Sequence, residues 1–82
     1  MRILFTNVGR RTYLVEFALA IKIKNIKLRL YLTDTNLETA AFQVSKKTTN
    51  FVTPYVNEQP KKYLKNILNI CLKNRIDLLI PL

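Results

Sequence analysis

The stretch ILFTNVGRRTYLVEFALA, residues 3–20, decides how the whole chain is read. It opens as a short apolar run, breaks at Thr6-Asn7-Val8-Gly9, passes Arg10 and Arg11, and resumes with helical spacing of apolar residues. An apolar run that stops at turn residues reads as a buried strand, here near residues 2–6. The segment after the arginines reads as a helix near residues 12–24, with Thr12 as a weak start signal because Glu16 falls one place late for a capping box. Leu14, Phe17, Ala18 and Ile21, with Tyr13 and Ala20 beside them, are its expected core face. Val15, Leu19 and Ile23 recur at i, i+4 and i+8 off that face. They predict a second buried contact, with the neighbouring helix, with absent parts of the protein, or with a second copy in a homodimer.

Outward from this unit the alternation continues. LRLYLT, residues 28–33, is a second strand that ends at Asp34, and residues 37–44 make at most a short helical turn. FVT, residues 51–53, precedes Pro54 as a short third strand. Pro60 suits the first position of a helix running to residue 74. Leu64, Ile67, Leu68 and Cys71 hold its i, i+3, i+4 and i+7 positions, while Lys61, Lys62, Lys65 and Lys73 face away. DLLI, residues 77–80, is a fourth strand closed by Pro81. Strands alternating with helical segments imply a parallel sheet. The expected fold is an α/β, Rossmann-like, three-layer domain of about four parallel strands. In such sheets ligands sit beyond the carboxyl ends of the strands. A chain that stops one residue after the fourth strand is therefore expected to be a fragment of a longer polypeptide.

Composition narrows the functional classes. With 82 residues the chain is one small domain, which buries only roughly 60–65% of its unfolded surface. It has no histidine and a single cysteine, which excludes an internal disulfide, a Cys/His zinc site and a histidine base. Cys71 falls within an apolar helical pattern and reads as a small core residue. Fourteen Lys+Arg against five Asp+Glu give a net charge of +9, which fits an anionic partner or simply a basic solvated surface. Lys46-Lys47 and Lys61-Lys62 are isolated pairs, and Tyr13, Tyr31, Tyr55 and Tyr63 are not interleaved with them as in a base-stacking platform. Nucleic acid is thus a poor candidate partner. No apolar run approaches the roughly 18 residues of a membrane span, and the N-terminus lacks a signal-peptide pattern, so a cytoplasmic protein is the expectation.

The chemistry-bearing residues gather at two turns. Asn7, Gly9, Arg10 and Arg11 lie between a strand and a helix N-terminus, where free amides and the helix dipole favour anions. One glycine is too few for a dinucleotide fingerprint or a P-loop. The turn is therefore either an anion contact built on two guanidinium forks or a tight connection that carries charge. Asp34 lies 25 residues after Gly9, where dinucleotide folds place a ribose-binding acid, but Thr33-Asp34-Thr35-Asn36 also reads as an Asx-type turn.

RILFTNVGRRTYLVEF, followed by LTDTN and TAAF, FVTPYV and NRIDLLIPL, resembles the opening domain of carbamoyl-phosphate-synthase-like ATP-grasp proteins over essentially the whole chain. The resemblance implies a pre-ATP-grasp domain that precedes the catalytic domains of a ligase. Such ligases use ATP and Mg²⁺ to convert a carboxylate to an acyl phosphate, which an amine or ammonia then attacks. It also implies that the nucleotide and metal sites lie in the absent domains. On that reading this fragment holds no cofactor, is inactive alone, and has the missing ATP-grasp domains as its partners. Asn7, Gly9, Arg10, Arg11 and Asp34 would then face a small anionic substrate. The alternative is a stand-alone Rossmann-like module for a nucleotide or a phosphorylated metabolite.

Overall fold

The computed structural model describes residues 1–82. Four strands, β1 (Arg2–Thr6), β2 (Arg29–Asp34), β3 (Thr49–Val52) and β4 (Leu78–Pro81), form one sheet in the order β3-β2-β1-β4. Every pair is parallel, with Leu4 opposite Tyr31 and Leu79, and Thr33 opposite Phe51. Two α-helices, α1 (Thr12–Ala20) and α2 (Pro60–Asn74), and a 3₁₀ turn (Ala40–Gln43) make the crossovers. The fold is the expected Rossmann-like α/β architecture. Strand order reverses at β1, whose neighbours lead to β3 on one side and to β4 on the other, and this is where open α/β sheets form a crevice.

Alternation along the strands divides the core into two layers. Phe5, Leu30 and Leu32 pack with Val8, Val15, Ala18, Ala41 and Phe42 on the face covered by α1 and the 3₁₀ turn. Leu4 and Tyr31 pack with Ile70 of α2 on the other face, where Phe51, Cys71 and Ile76 join them and the Tyr31 and Phe51 rings stack at 6.4 Å. Neighbouring residues of one strand thus serve opposite layers, which is why these strands read as continuous apolar runs. Burial pushes the Cys71 thiol above its usual pKa, which is the behaviour of a packing residue and not of a nucleophile.

α2 has the predicted bounds, with Pro60 in its first turn. Its buried residues are Ile67 and Ile70, however, and the expected core positions Leu64 and Leu68 are exposed because the helix meets the sheet along the neighbouring stripe. It ends in a Schellman arrangement: Ile76 N–H donates to Cys71 O at 3.0 Å and Arg75 N–H to Leu72 O at 3.4 Å. Arg75 holds the left-handed conformation (φ 51°) that glycine usually supplies there. At the same end of the sheet, Asp77 accepts the Arg2 amide at 2.7 Å and returns its own N–H to Arg2 O at 2.8 Å, which fixes β4 against β1.

Three expectations are corrected. α1 stops at Ala20 and does not reach residue 24, because Ile21 turns to an extended conformation (ψ 126°). The following IKIKNI alternates with period two and closes a small loop, with Asn25 left-handed and Ile23 bridged to Ile26. The buried face of α1 is also shifted from the expected one, with Ala18 common to both. Val15 is 1% and Ala18 8% exposed, and Leu19 packs on the same cluster, whereas Phe17 stands 69% exposed with Tyr13 and Ile21 also outside. Val15 and Leu19 belong to the chain's own core and Ile23 lies beyond the helix, so the three do not share one outward helix face. Smaller shifts affect β2, which starts at Arg29 and includes Asp34, and β3, which begins at Thr49 and ends at Val52. β4 takes in Pro81, which an edge strand tolerates because one side of it needs no ladder donor.

The α1 face can be checked by urea unfolding. Val15→Ala is expected to cost about 2 kcal/mol through lost burial and a residual cavity. Phe17→Ala, although it removes more atoms, is expected to change stability by less than about 0.5 kcal/mol. The opposite ranking would return Phe17 to the core.

Candidate functional site

The turn after β1 sits at the carboxyl end of the sheet, beside the reversal in strand order. Two of its residues adopt left-handed backbone, Asn7 at φ 55° and Gly9 at φ 51°. Asparagine tolerates that region, and glycine enters it freely. A Cβ on Gly9 would meet only Asp34 Oδ2 at 3.9 Å, so conformation and not space calls for glycine here.

Nearly every polar backbone group of the turn is engaged internally. Val8 N–H donates to Thr33 O at 3.2 Å and Arg11 N–H to Val8 O at 2.9 Å, while Gly9 O accepts from Ala41 N–H at 3.0 Å. Gly9 N–H, the donor that a phosphate loop would offer its ligand, points at Asp34 Oδ2 at 2.7 Å. The second oxygen of Asp34 accepts from Thr35 N–H at 2.6 Å and from Thr35 Oγ at 3.2 Å. The Asp34 carboxylate therefore ties the end of β2 to the turn after β1. Val8, fully buried, pins the same turn into the α1-side core.

The two arginines separate. Arg11 caps α1 without a side-chain cap bond and folds back so that its Nη1 donates to Asn7 O at 3.4 Å. Arg10 is exposed and lines an open cleft of about 460 Å³ with Gly9, Asn36, Glu38, Thr39 and Ala40. Of the five sequence candidates, Gly9 and Arg10 thus border the cleft, Asp34 braces it from behind, and Arg11 covers the turn. Asn7 is half-buried at the end of β1, where Thr6 O also accepts the Leu82 N–H at 3.2 Å.

The far wall of the cleft was not legible as a site in the sequence. Asn36 Oδ1 accepts Glu38 N–H at 2.7 Å, an Asx turn one step beyond the one centred on Asp34, and Thr39 Oγ donates to Asn36 O. That turn brings Glu38 into the lining of the same cleft as Arg10. The available signal was the Asn36-Leu37-Glu38 spacing, which is local turn chemistry and carries no mark of a site. The cleft can hold a small polar or charged solute between one guanidinium and one carboxylate. No three His, Cys, Asp or Glu residues converge here, and the Gly9 amide is already bonded to Asp34.

The family model described as PylC-like, N-terminal domain matches residues 3–82. The chain belongs to this family. Its members supply the pre-ATP-grasp N-terminal domain of ATP-grasp ligases, so the PylC-like chain is such a domain by both sequence and fold. No curated protein matches it. No helix of this PylC-like domain is long and apolar enough to cross a membrane.

The brace can be tested by substitution. Asp34→Ala strands two amides at once and is expected to cost about 2–3 kcal/mol in urea unfolding. Gly9→Ala, strained only through φ, should cost about 1–2 kcal/mol. Loss of stability with neither variant would show that the bond from Gly9 to Asp34 does not hold the turn.

Proposed function

We propose that this domain forms the substrate-side wall of an ATP-grasp carboxylate–amine or carboxylate–ammonia ligase resembling the large subunit of carbamoyl phosphate synthase, and that it is inactive when separated from ATP-grasp catalytic domains. The observation that carries the reading is the family match across residues 3–82. The geometry adds support. The turn that could have served a nucleotide has spent its Gly9 amide on Asp34, so an incoming anion is met by the Arg10 guanidinium instead. Gly9 and Arg10 form the cleft-facing part of the turn, while Asn7, Asp34 and Arg11 hold its shape. ATP and Mg²⁺ belong to the catalytic domains of such an enzyme.

The surface fits a domain that works against other domains. Leu64, Leu68 and Leu72 recur every fourth residue of α2 and are 60%, 53% and 77% exposed. Stripes of this kind mark contact surfaces more often than solvent faces. We assign that contact to the ATP-grasp part of the same enzyme.

In the ligase that carries this domain, Arg10→Gln is expected to raise KM for the non-nucleotide substrate about tenfold, the loss of one charge-assisted hydrogen bond. KM for ATP should stay unchanged. A matching rise for ATP would move the turn to the nucleotide site. Saturable binding of ATP or of a sugar phosphate to the 82-residue chain alone, with slowed exchange at Gly9, would favour the stand-alone module.

A further inference from the structure

The largest cavity of the domain lies at the opposite end of the sheet from the cleft. It encloses about 500 Å³ between the last turn of α1 and the amino ends of β2 and β3. That volume falls within the range of pockets that take small molecules. Leu19, Ile21 and Leu28 supply an apolar wall, and Lys27, Arg29 and Lys47 supply cations. No aspartate or glutamate lines it.

The three cations come from two segments of the chain, residues 27–29 and Lys47, whose backbones are tied down by hydrogen bonds. Arg29 N–H donates to Met1 O at 2.8 Å, and Lys47 N–H donates to Ser45 Oγ at 3.0 Å. Lys27 sits where the loop after α1 enters β2, and its carbonyl accepts the N-terminal ammonium at 2.6 Å. Folding thus gathers like charges around one concavity without an internal counter-ion. Like charges brought together repel, and an anion placed among them relieves that repulsion. The apolar wall beside them would be wasted on a bare inorganic anion.

We infer that this cavity binds a small amphiphilic anion, a carboxylate or phosphate monoester whose apolar tail lies along Leu19, Ile21 and Leu28 and whose head group meets Lys27, Arg29 and Lys47. The site is separate from the Arg10 cleft and does not rest on the proposed ligase role. An exposed ion pair contributes up to about 1 kcal/mol, so each cation neutralised weakens binding by up to about fivefold.

The test uses the 82-residue chain, labelled for amide NMR and titrated with decanoate below its micellar concentration. Saturable shifts are expected at residues 28–31 and 47–49, with the signal of Gly9 unmoved. Acetate, which lacks the tail, and decyltrimethylammonium, which reverses the head, should each bind at least tenfold more weakly. Lys27→Gln with Lys47→Gln, both at exposed positions, should weaken decanoate about tenfold or more while amide dispersion is retained. Equal binding of the cationic amphiphile would reduce the cavity to an apolar patch. Equal binding of acetate would reduce it to a charge cluster. Indifference to the double substitution, or binding to anionic vesicles but not to free decanoate, would equally overturn the assignment.

Discussion

The bond from Gly9 N–H to the Asp34 carboxylate is the constraint on which the rest of the domain depends. A parallel sheet delivers its strand ends side by side, and each must turn sharply into a crossover. The turn after β1 takes left-handed backbone at Asn7 and at Gly9, and the Gly9 amide needs a partner there. An unpaired amide there costs about 1–3 kcal/mol, a large fraction of the stability of so small a core. Asp34 satisfies Gly9 with one oxygen and its own neighbour Thr35 with the other. The same contact fixes where α1 begins, and therefore which residues of α1 meet the sheet.

That dependence explains what could and could not be read from the chain. β1 and the bounds of α2 were legible, from a short apolar run in the first and Pro60 with a 3.6-residue period in the second. The period did not fix the inward stripe of α2, which runs through Ile67 and Ile70 and leaves Leu64 and Leu68 outside. The Gly9–Asp34 spacing was legible as a relation between two turns, but its meaning was not: ribose acid and turn brace occupy the same sequence position. α1 defeated periodicity for a different reason. Seven of its nine residues, from Tyr13, Leu14 and Val15 to Phe17, Ala18, Leu19 and Ala20, are apolar, so composition allows more than one inward face. The entry angle set by Val8 and Asp34 makes the choice, and that is a tertiary fact. The last turn was misread because Ile21 and Ile23 look like helical core residues although their alternation with lysine is a β pattern.

Charge is distributed by the same economy. Of five acids, Asp34 holds the turn at the carboxyl end of the sheet and Asp77 holds β4 to β1 at the amino end. Both act on backbone amides. Glu16, Glu38 and Glu58 are exposed, and they are too few to neutralise fourteen cations. Positive charge therefore stands at both ends of the sheet, as Arg10 beside Glu38 at one and as Lys27, Arg29 and Lys47 without an acid at the other. A basic composition alone suggested a diffuse surface property. Folding converts part of it into two local fields, one beside a carboxylate and one beside an apolar wall.

The kind of recognition open to the cleft follows from how its turn is satisfied. A glycine-rich phosphate loop works because several amides are left free and converge on the ligand. Here the single glycine has its amide bonded to Asp34 and its carbonyl bonded to Ala41, so freeing either would loosen both β2 and the 3₁₀ turn. The cleft instead offers side chains, the exposed Arg10 guanidinium and Glu38 among them. A planar fork on a flexible stem reads carboxylates of varied shape at low structural cost, whereas an amide nest is committed to one phosphate position. Under the proposed function, changes at positions 10 and 38 would alter the substrate without disturbing the bonds that fold the domain.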